Sequence, residues 1–228
     1  LTTAITPVAP FDFELTAGYH TYFQSRYGTD TMEDGVYRRL LDLGDKLVLA
    51  SVRSAGTVDA PELELELQGS ELSTADVGLA KERVSWLLGV DQDLAPFYEL
   101  GRADQAMAEL VERFYGLHLP HTATAFEALV LAVLGQQIST SVARIIRTLL
   151  IETFGPNAEF DGETYYAFPR PESIWASSPA ELHTMKLTQR KSEYVHGLAA
   201  LDAAVGSTPW WSSPSSSHDV AVGGTAFR

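Results

Sequence analysis

Two adjacent amides, Gln136 and Gln137, follow directly on the apolar stretch FEALVLAVLG, Phe126 to Gly135. An amide left buried without hydrogen-bond partners costs free energy, and each glutamine has both donors and an acceptor to satisfy. A segment with the composition of a buried helix has no use for such a pair, so something polar must meet its end. Two answers are open: the amides cap the helix C-terminus, or they face a polar partner molecule. Ser139 adds a hydroxyl two residues later. Arg190 and Lys191 place two cations at the start of a later helical stretch, where each either lies in solvent or reaches a phosphate. The histidines, His183 and His196 among them, show no metal-ligand spacing. The chain has no Cys, which excludes disulfides and thiolate metal sites and accords with a reducing cytoplasm.

The elements that must position these groups are bounded by length and charge. With 228 residues, 45% of them hydrophobic, the chain can bury one sizeable core or two small ones. No apolar run is long enough to span a bilayer, and the first twenty residues lack the basic start and apolar centre of a signal peptide. Leu1 is not an initiator Met, which reads as a trimmed start. A net charge of −14 opposes strong electrostatic attraction to nucleic acid, which needs clustered Lys and Arg. The acid is uneven: residues 1–100 hold 7 basic and 17 acidic side chains, against 9 and 13 in the remainder, so the half that carries Gln136 and Gln137 is the less acidic one. The acidity also fits solubility in a salty cytoplasm.

Three segments of the first half, VYRRLLDLG, KLVLASVRS and ELELELQG, read as an antiparallel meander separated by turn signals. In the third, Leu63, Leu65 and Leu67 alternate with Glu64 and Glu66, the period of a sheet with one wet face. STADVGLAKERVSWLLG predicts a helix with a Ser73 or Thr74 N-cap and a Gly89 stop. FDFEL reads as a further strand and TAGYHTYFQSRYG as a further helix. Residues 1–90 therefore form an α+β domain. Residues 91–206 are helical: short helices end at Gly101 and Gly116, Thr124 and Glu127 form a capping box, Ser139 caps STSVARIIRTLLIETFG, Ser178, Pro179 and Glu181 open another helix, and Thr188 opens a last one that stops at Gly206. Residues 207–228, rich in Ser, Pro and Gly, read as a disordered tail in which Trp210 and Trp211 are incidental.

With those elements in order, FEALVLAVLGQQIS, then Phe154-Gly155, then FPRPESIWASSPAELHTMKLTQRKSEYVHGLA, resembles the helical core of the helix-hairpin-helix DNA glycosylases, in particular the 3-methyladenine DNA glycosylase II type. PFDFELTAGYHTYFQSR, GVYRRL and LLGVDQDLAPFY are similar to the same branch in order and spacing, so the resemblance runs from about Pro10 to Gly206. The fold class it implies is α+β, a small antiparallel sheet with helices followed by an all-α domain that is incomplete at its C-terminal end.

The resemblance implies base-excision repair. The enzyme flips an alkylated purine out of double-stranded DNA, holds it in an aromatic pocket and hydrolyses its N-glycosylic bond with the help of one carboxylate. No cofactor is implied, no membrane, a cytoplasmic, nucleoid-associated location, and a monomer when complete. The DNA-contacting residues it implies are Gln137 as the gap filler, Gln136 and Ser139 beside it, and Arg190 and Lys191 on phosphates. Tyr19 falls where the family carries a pocket aromatic, although packing of the AGYHTYF helix explains it equally well. The family's glycine-rich hairpin and its catalytic Asp have no counterpart here: STPWWSSPSSSHDVAVGGTAFR follows instead, and the SHDVAVGG setting of Asp219 does not match. The chain thus reads as truncated or frameshifted and inactive alone. The alternatives are an inactive fragment or a non-catalytic DNA-binding or regulatory module.

Overall fold

The computed structural model describes residues 1–205. Residues 206–228, with the expected Gly206 stop, the tail, Trp210, Trp211 and Asp219, lie outside the described residues. Six antiparallel strands form one sheet in the order β1, β6, β5, β4, β3, β2. They are β1 (Thr2–Ile5), β2 (Arg26–Tyr27), β3 (Asp30–Glu33), β4 (Val36–Asp42), β5 (Leu47–Ser54) and β6 (Leu63–Gln68). The period-two pattern of β6 does what it predicts: Leu63, Leu65 and Leu67 are buried and Glu64 is exposed. The leucines meet Val48, Ala50 and Val52 of β5 and Val84 and Leu87 of α2 (Thr74–Leu87). Each fully buried side chain of this size contributes about 1.5–3 kcal/mol. Helix α2 starts with a complete capping box, Ser73 with Asp76, and ends before Gly89, whose φ of 58° is the left-handed value a helix stop favours.

Two expectations for the N-terminal part are corrected. FDFEL is not a strand: Asp12 is an N-cap whose carboxylate accepts the Leu15 N–H at 2.9 Å, and α1 (Phe13–His20) starts there. Phe11 and Phe13 are both buried, which mimics a strand's alternation, but the cap bond decides the local structure. The helix also ends at His20, before the Arg-Tyr of β2. The outer face of the sheet is not simply wet either. An unforeseen hairpin, β7 (Asn157–Phe160) and β8 (Glu163–Tyr166), lies over it, and Tyr165 and Ala167 bury Leu40 and Leu49 there. Its turn is Asp161-Gly162, at φ 53° and 83°, the two positive values a tight two-residue hairpin turn requires.

The remaining helices are α3 (Ala95–Ala103), α4 (Ala108–Arg113), α5 (Ala125–Gly135), α6 (Thr140–Phe154), α7 (Pro171–Trp175), α8 (Pro179–His183) and α9 (Gln189–Val205). Phe126, Val130 and Leu134 of α5 pack with Ile146 and Leu150 of α6 and Val195 and Ala199 of α9 in a second core. Helix α5 is buried on that face only. Leu129 is 51% exposed, and Val142 and Ile145 of α6 are 42% and 45% exposed, so the apolar stripe of each helix is wider than what covers it. Among the described residues no helix is long and apolar enough to cross a membrane. His118 ties the sheet domain to the helices: its ring nitrogens bond the Gly89 and Pro10 carbonyls at 2.6 and 2.9 Å.

Candidate functional site

Helix α5 runs out at Gly135, and the connector Gln136-Gln137-Ile138-Ser139 leads straight into α6. Its carbonyls are not capped by the amides. The Lys191 ammonium, at the head of α9, donates to the Leu134 carbonyl at 2.8 Å and the Gln136 carbonyl at 2.7 Å, where a cation also suits the negative end of the helix. Burial lowers the Lys191 pKa. Ile138 is half-buried against the second core and anchors the loop. The Ser139 hydroxyl accepts the Val142 N–H at 3.4 Å and so starts α6. Gln136 and Gln137 are exposed, and Gln137 has φ 56°, a left-handed conformation that costs a non-glycine residue about 1–2 kcal/mol. Arg190 is exposed and bonds the Tyr194 hydroxyl at 2.9 Å.

Beside this loop a cleft of about 280 Å³ opens between the sheet domain and the two helices. Tyr22, Tyr27, Leu134, Ile138, Thr140 and Arg147 form most of its wall. The rings of Tyr22 and Tyr27 have centroids 4.6 Å apart, and the Arg147 guanidinium covers Tyr27 at 4.7 Å. Tyr19 stands one ring further out, stacked on Tyr22 at 6.0 Å and 22°. Tyr22 and Phe23 both have left-handed backbones, at φ 52° and 56°, so strained residues stand on both sides of the cleft. Arg144 of α6 bonds Gln24, which follows Tyr22 and Phe23 in the chain.

Beneath the cleft lies a buried ionic cluster that joins strands β3 and β4 of the sheet to helices α5 and α6. Asp30 accepts from the Tyr37 hydroxyl at 2.6 Å, from Arg39 at 3.0 Å and from Thr29 at 3.0 Å. The other guanidinium nitrogen of Arg39 donates to both oxygens of Glu127, at 2.7 and 3.0 Å. Glu127 therefore does not complete the expected capping box. Thr124 caps the Glu127 N–H at 3.0 Å, but the Glu127 carboxylate turns to Arg39 and to the Ala123 N–H instead. Burial by itself raises the Asp30 pKa; Arg39, His20, Arg147 and the Tyr37 hydrogen bond outweigh it and hold the carboxyl at about 2. Burial keeps His20 below its ordinary value despite Asp30 nearby.

A depressed carboxylate pKa stabilises the fold above the unfolded value of about 3.9, and that contribution is lost as pH falls towards about 2. Urea unfolding measured from pH 5 down to about pH 2 is expected to show a steep acid loss that Asp30→Asn flattens, the variant being less stable throughout. An unchanged acid slope in Asp30→Asn would remove this assignment.

The structure brings Gln136, Gln137, Ser139 and Lys191 together at one helix end, with Arg190 adjacent. Tyr19 is near the cleft but not in its wall. The sequence reading missed Tyr22, Tyr27 and Arg147. The first two were within sight, since GYHTYFQSRYG repeats tyrosines, whereas Arg147 sits in an ordinary amphipathic helix pattern.

No family model matches the chain. A DNA-3-methyladenine glycosylase of Bacillus subtilis is 40% identical over 115 residues, which is 50% of this chain and 38% of that protein. A probable bifunctional transcriptional activator/DNA repair enzyme AlkA of Mycobacterium tuberculosis is 30% identical over 183 residues, 80% of this chain and 36% of that protein. The chain thus spans less than two fifths of the curated relatives it matches here. Among solved structures, a 3-methyladenine DNA-glycosylase from Archaeoglobus fulgidus superposes with a TM-score of 0.73 at 23% identity, over 86% of this chain and 66% of that one. The structural likeness shows that the arrangement of sheet and helices is a shared fold. The chain is thus similar in sequence to proteins named DNA-3-methyladenine glycosylase and AlkA, and it shares the fold of a 3-methyladenine DNA-glycosylase.

Proposed function

We propose that this chain is the lesion-reading part of a base-excision-repair glycosylase that flips an alkylated purine from double-stranded DNA and hydrolyses its N-glycosylic bond. Gln137 enters the gap the base leaves, Gln136 and Ser139 flank it, and the flipped base lies in the tyrosine-walled cleft. Arg190 contacts a phosphate. Lys191 holds the loop through two carbonyls, and its third N–H remains for a phosphate. Tyr19 backs the pocket through Tyr22.

The observation that carries this reading is the loop itself: two exposed amides, one on a left-handed backbone, on a connector whose helix-end carbonyls are satisfied by another residue. Amides needed for capping would be the ones making those bonds. The chemistry also needs a free carboxylate near the sugar. The carboxylates of the cluster under the cleft, Asp30 and Glu127, are both engaged by Arg39. The 228-residue chain alone is therefore expected to bind without cleaving.

Two measurements on the same protein test this. Fluorescence anisotropy is expected to show about tenfold tighter binding to a duplex with a stable abasic-site analogue than to the undamaged duplex, because the gap needs no base to be unstacked. Incubation with methylated duplex DNA is expected to release no 3-methyladenine above background. Equal affinity for the two duplexes overturns the DNA-reading loop; base release that survives repurification overturns the inactivity.

A further inference from the structure

Helices α3 and α4 form a hairpin with one closed side and one open side. Its connector turns on the Asp104 carboxylate, which accepts the Ala106 and Met107 N–H groups at 2.8 and 3.1 Å. On the closed side Gly101 admits Val111, whose side chain would lie 2.4 Å from a Cβ at that position. On the open side Phe97, Tyr98, Met107, Leu110, Phe114 and Leu119 form most of the wall of a groove of about 350 Å³. Phe97 is 50% and Leu110 47% exposed. The Tyr98 hydroxyl, the one polar side-chain group of the wall, is engaged by the Gly116 N–H at 2.8 Å. Such a wall takes an aliphatic or aromatic group and offers nothing to an anion or a metal.

Charge narrows the occupant. Residues 91–114 carry six acidic and two basic side chains, and one of the two, Arg102, is paired with Glu112 at 2.9 Å. A second copy would bring the same acids against these, on a chain whose net charge is −14. An uncharged aromatic segment meets no such opposition. Residues 206–228 contain one: Trp210 and Trp211 are adjacent, and Asp219 and Arg228 are the only Asp, Glu, Lys or Arg in that stretch.

The path of α9 leads towards the groove. Lys191 at its head holds the carbonyls at the end of α5, and Val195 and Ala199 stay in the core that α5 lines, so α9 runs back along α5. With 17 residues against 11, it outruns the start of α5 and delivers the chain there at Val205. The groove is tied to that same end, because Leu119 in its wall precedes Ala125, the first residue of α5, by six residues. Trp211 follows Val205 by the same six, an arm of at most about 20 Å.

We propose that the groove between α3 and α4 is the docking site of the segment around Trp210 and Trp211, so that the chain covers its own apolar face with the two indoles. The assignment is independent of the DNA-facing loop.

Fluorine NMR on the full 228-residue chain grown with 5-fluorotryptophan tests it, with a soluble gadolinium chelate as the probe of exposure. Trp175, 51% exposed, is the reference for an open indole, and Trp86, stacked on His121 at 4.1 Å, reports that the fold is intact. Replacing Trp210 and Trp211 by Phe one at a time assigns their resonances. A short tether gives an effective concentration on the order of 1 mM, so a groove affinity of about 0.1 mM leaves roughly 90% of the segment docked. Broadening by the chelate is then expected to be about tenfold smaller at Trp210 and Trp211 than in the urea-unfolded chain. Phe97→Asp with Leu110→Asp, each in the first turn of its helix where an acid suits the dipole, is expected to restore the broadening of both without moving Trp86. Where the paired substitution displaces the Trp86 resonance, Leu110→Asp alone takes its place. The proposal is overturned if both resonances broaden in the unmodified chain as they do in urea, or if their protection survives the groove variant. Protection that fades on dilution as a sedimenting dimer dissociates overturns it too, since a second copy would then fill the groove.

Discussion

Arg39→Met is expected to destabilise the protein by about 3–5 kcal/mol, enough to leave much of it unfolded at 37 °C. Arg39 is 3% exposed and is the only described residue that donates hydrogen bonds to both Asp30 and Glu127. Removing it strands two carboxylates that are each 1% exposed, with the long contacts of Arg147 as their remaining guanidinium neighbour. The loss comes from those stranded charges more than from the ion pairs themselves, which repay their desolvation only in good geometry. Neutralising them should therefore recover stability: Arg39→Met with Asp30→Asn and Glu127→Gln is expected to regain a large part of the deficit. Chemical denaturation of the single and triple variants measures both. A single variant within about 1 kcal/mol of the unmodified protein would show that the cluster is not what holds the sheet to α5.

Gln137→Ala is expected to separate recognition from folding. Unstacking a base step costs a few kcal/mol, and a residue that fills the gap offsets part of it, so losing the amide should weaken binding to lesion-bearing duplex by about 10- to 100-fold. Stability should change by less than about 0.5 kcal/mol, because the side chain is exposed and the helix end is held by Lys191. A capping or buried amide would give the reverse, about 1–3 kcal/mol of lost stability with binding per folded molecule intact. Anisotropy and thermal melting on the one variant decide between them, and a lowered melting temperature with unaltered duplex discrimination would end the gap-filling assignment. Arg190→Gln is the control: a phosphate contact should weaken intact and damaged duplex alike and reduce the salt slope by about one charge.

What the sequence disclosed tracks how local each cause is. The leucine alternation of β6, the Ser73 N-cap of α2 and the Ser139 cap of α6 depend on neighbours within a few residues, and each is where the pattern places it. Strands β1, β2 and β3, of four, two and four residues, have too few positions for a period to register, and only pairing of β1 with β6, β2 with β3 and β3 with β4 makes them strands. The hairpin turn Asp161-Gly162 did carry a local signal, hidden by its place among helices. The loop GQQIS was legible because its amides break an apolar run. The cluster beneath it was not. Arg39 and Glu127 are 88 residues apart, and each alone looks like a solvated side chain of a strand or a helix start.

The anchoring of GQQIS by Lys191 has a bearing on synthesis. The ammonium comes from 55 residues beyond the Gln136 carbonyl it binds, on the far side of the β7–β8 hairpin, α7 and α8. A nascent chain that has exposed α5 and α6 but not yet α9 already holds the Ser139 cap, while the carbonyls of Leu134 and Gln136 still face water. The loop therefore lacks its anchor until α9 is present, as does the core face of the two helices that flank it. Until the head of α9 leaves the ribosome, the ammonium that holds these two carbonyls is missing, so the connector depends for its anchor on a segment synthesised 55 residues later.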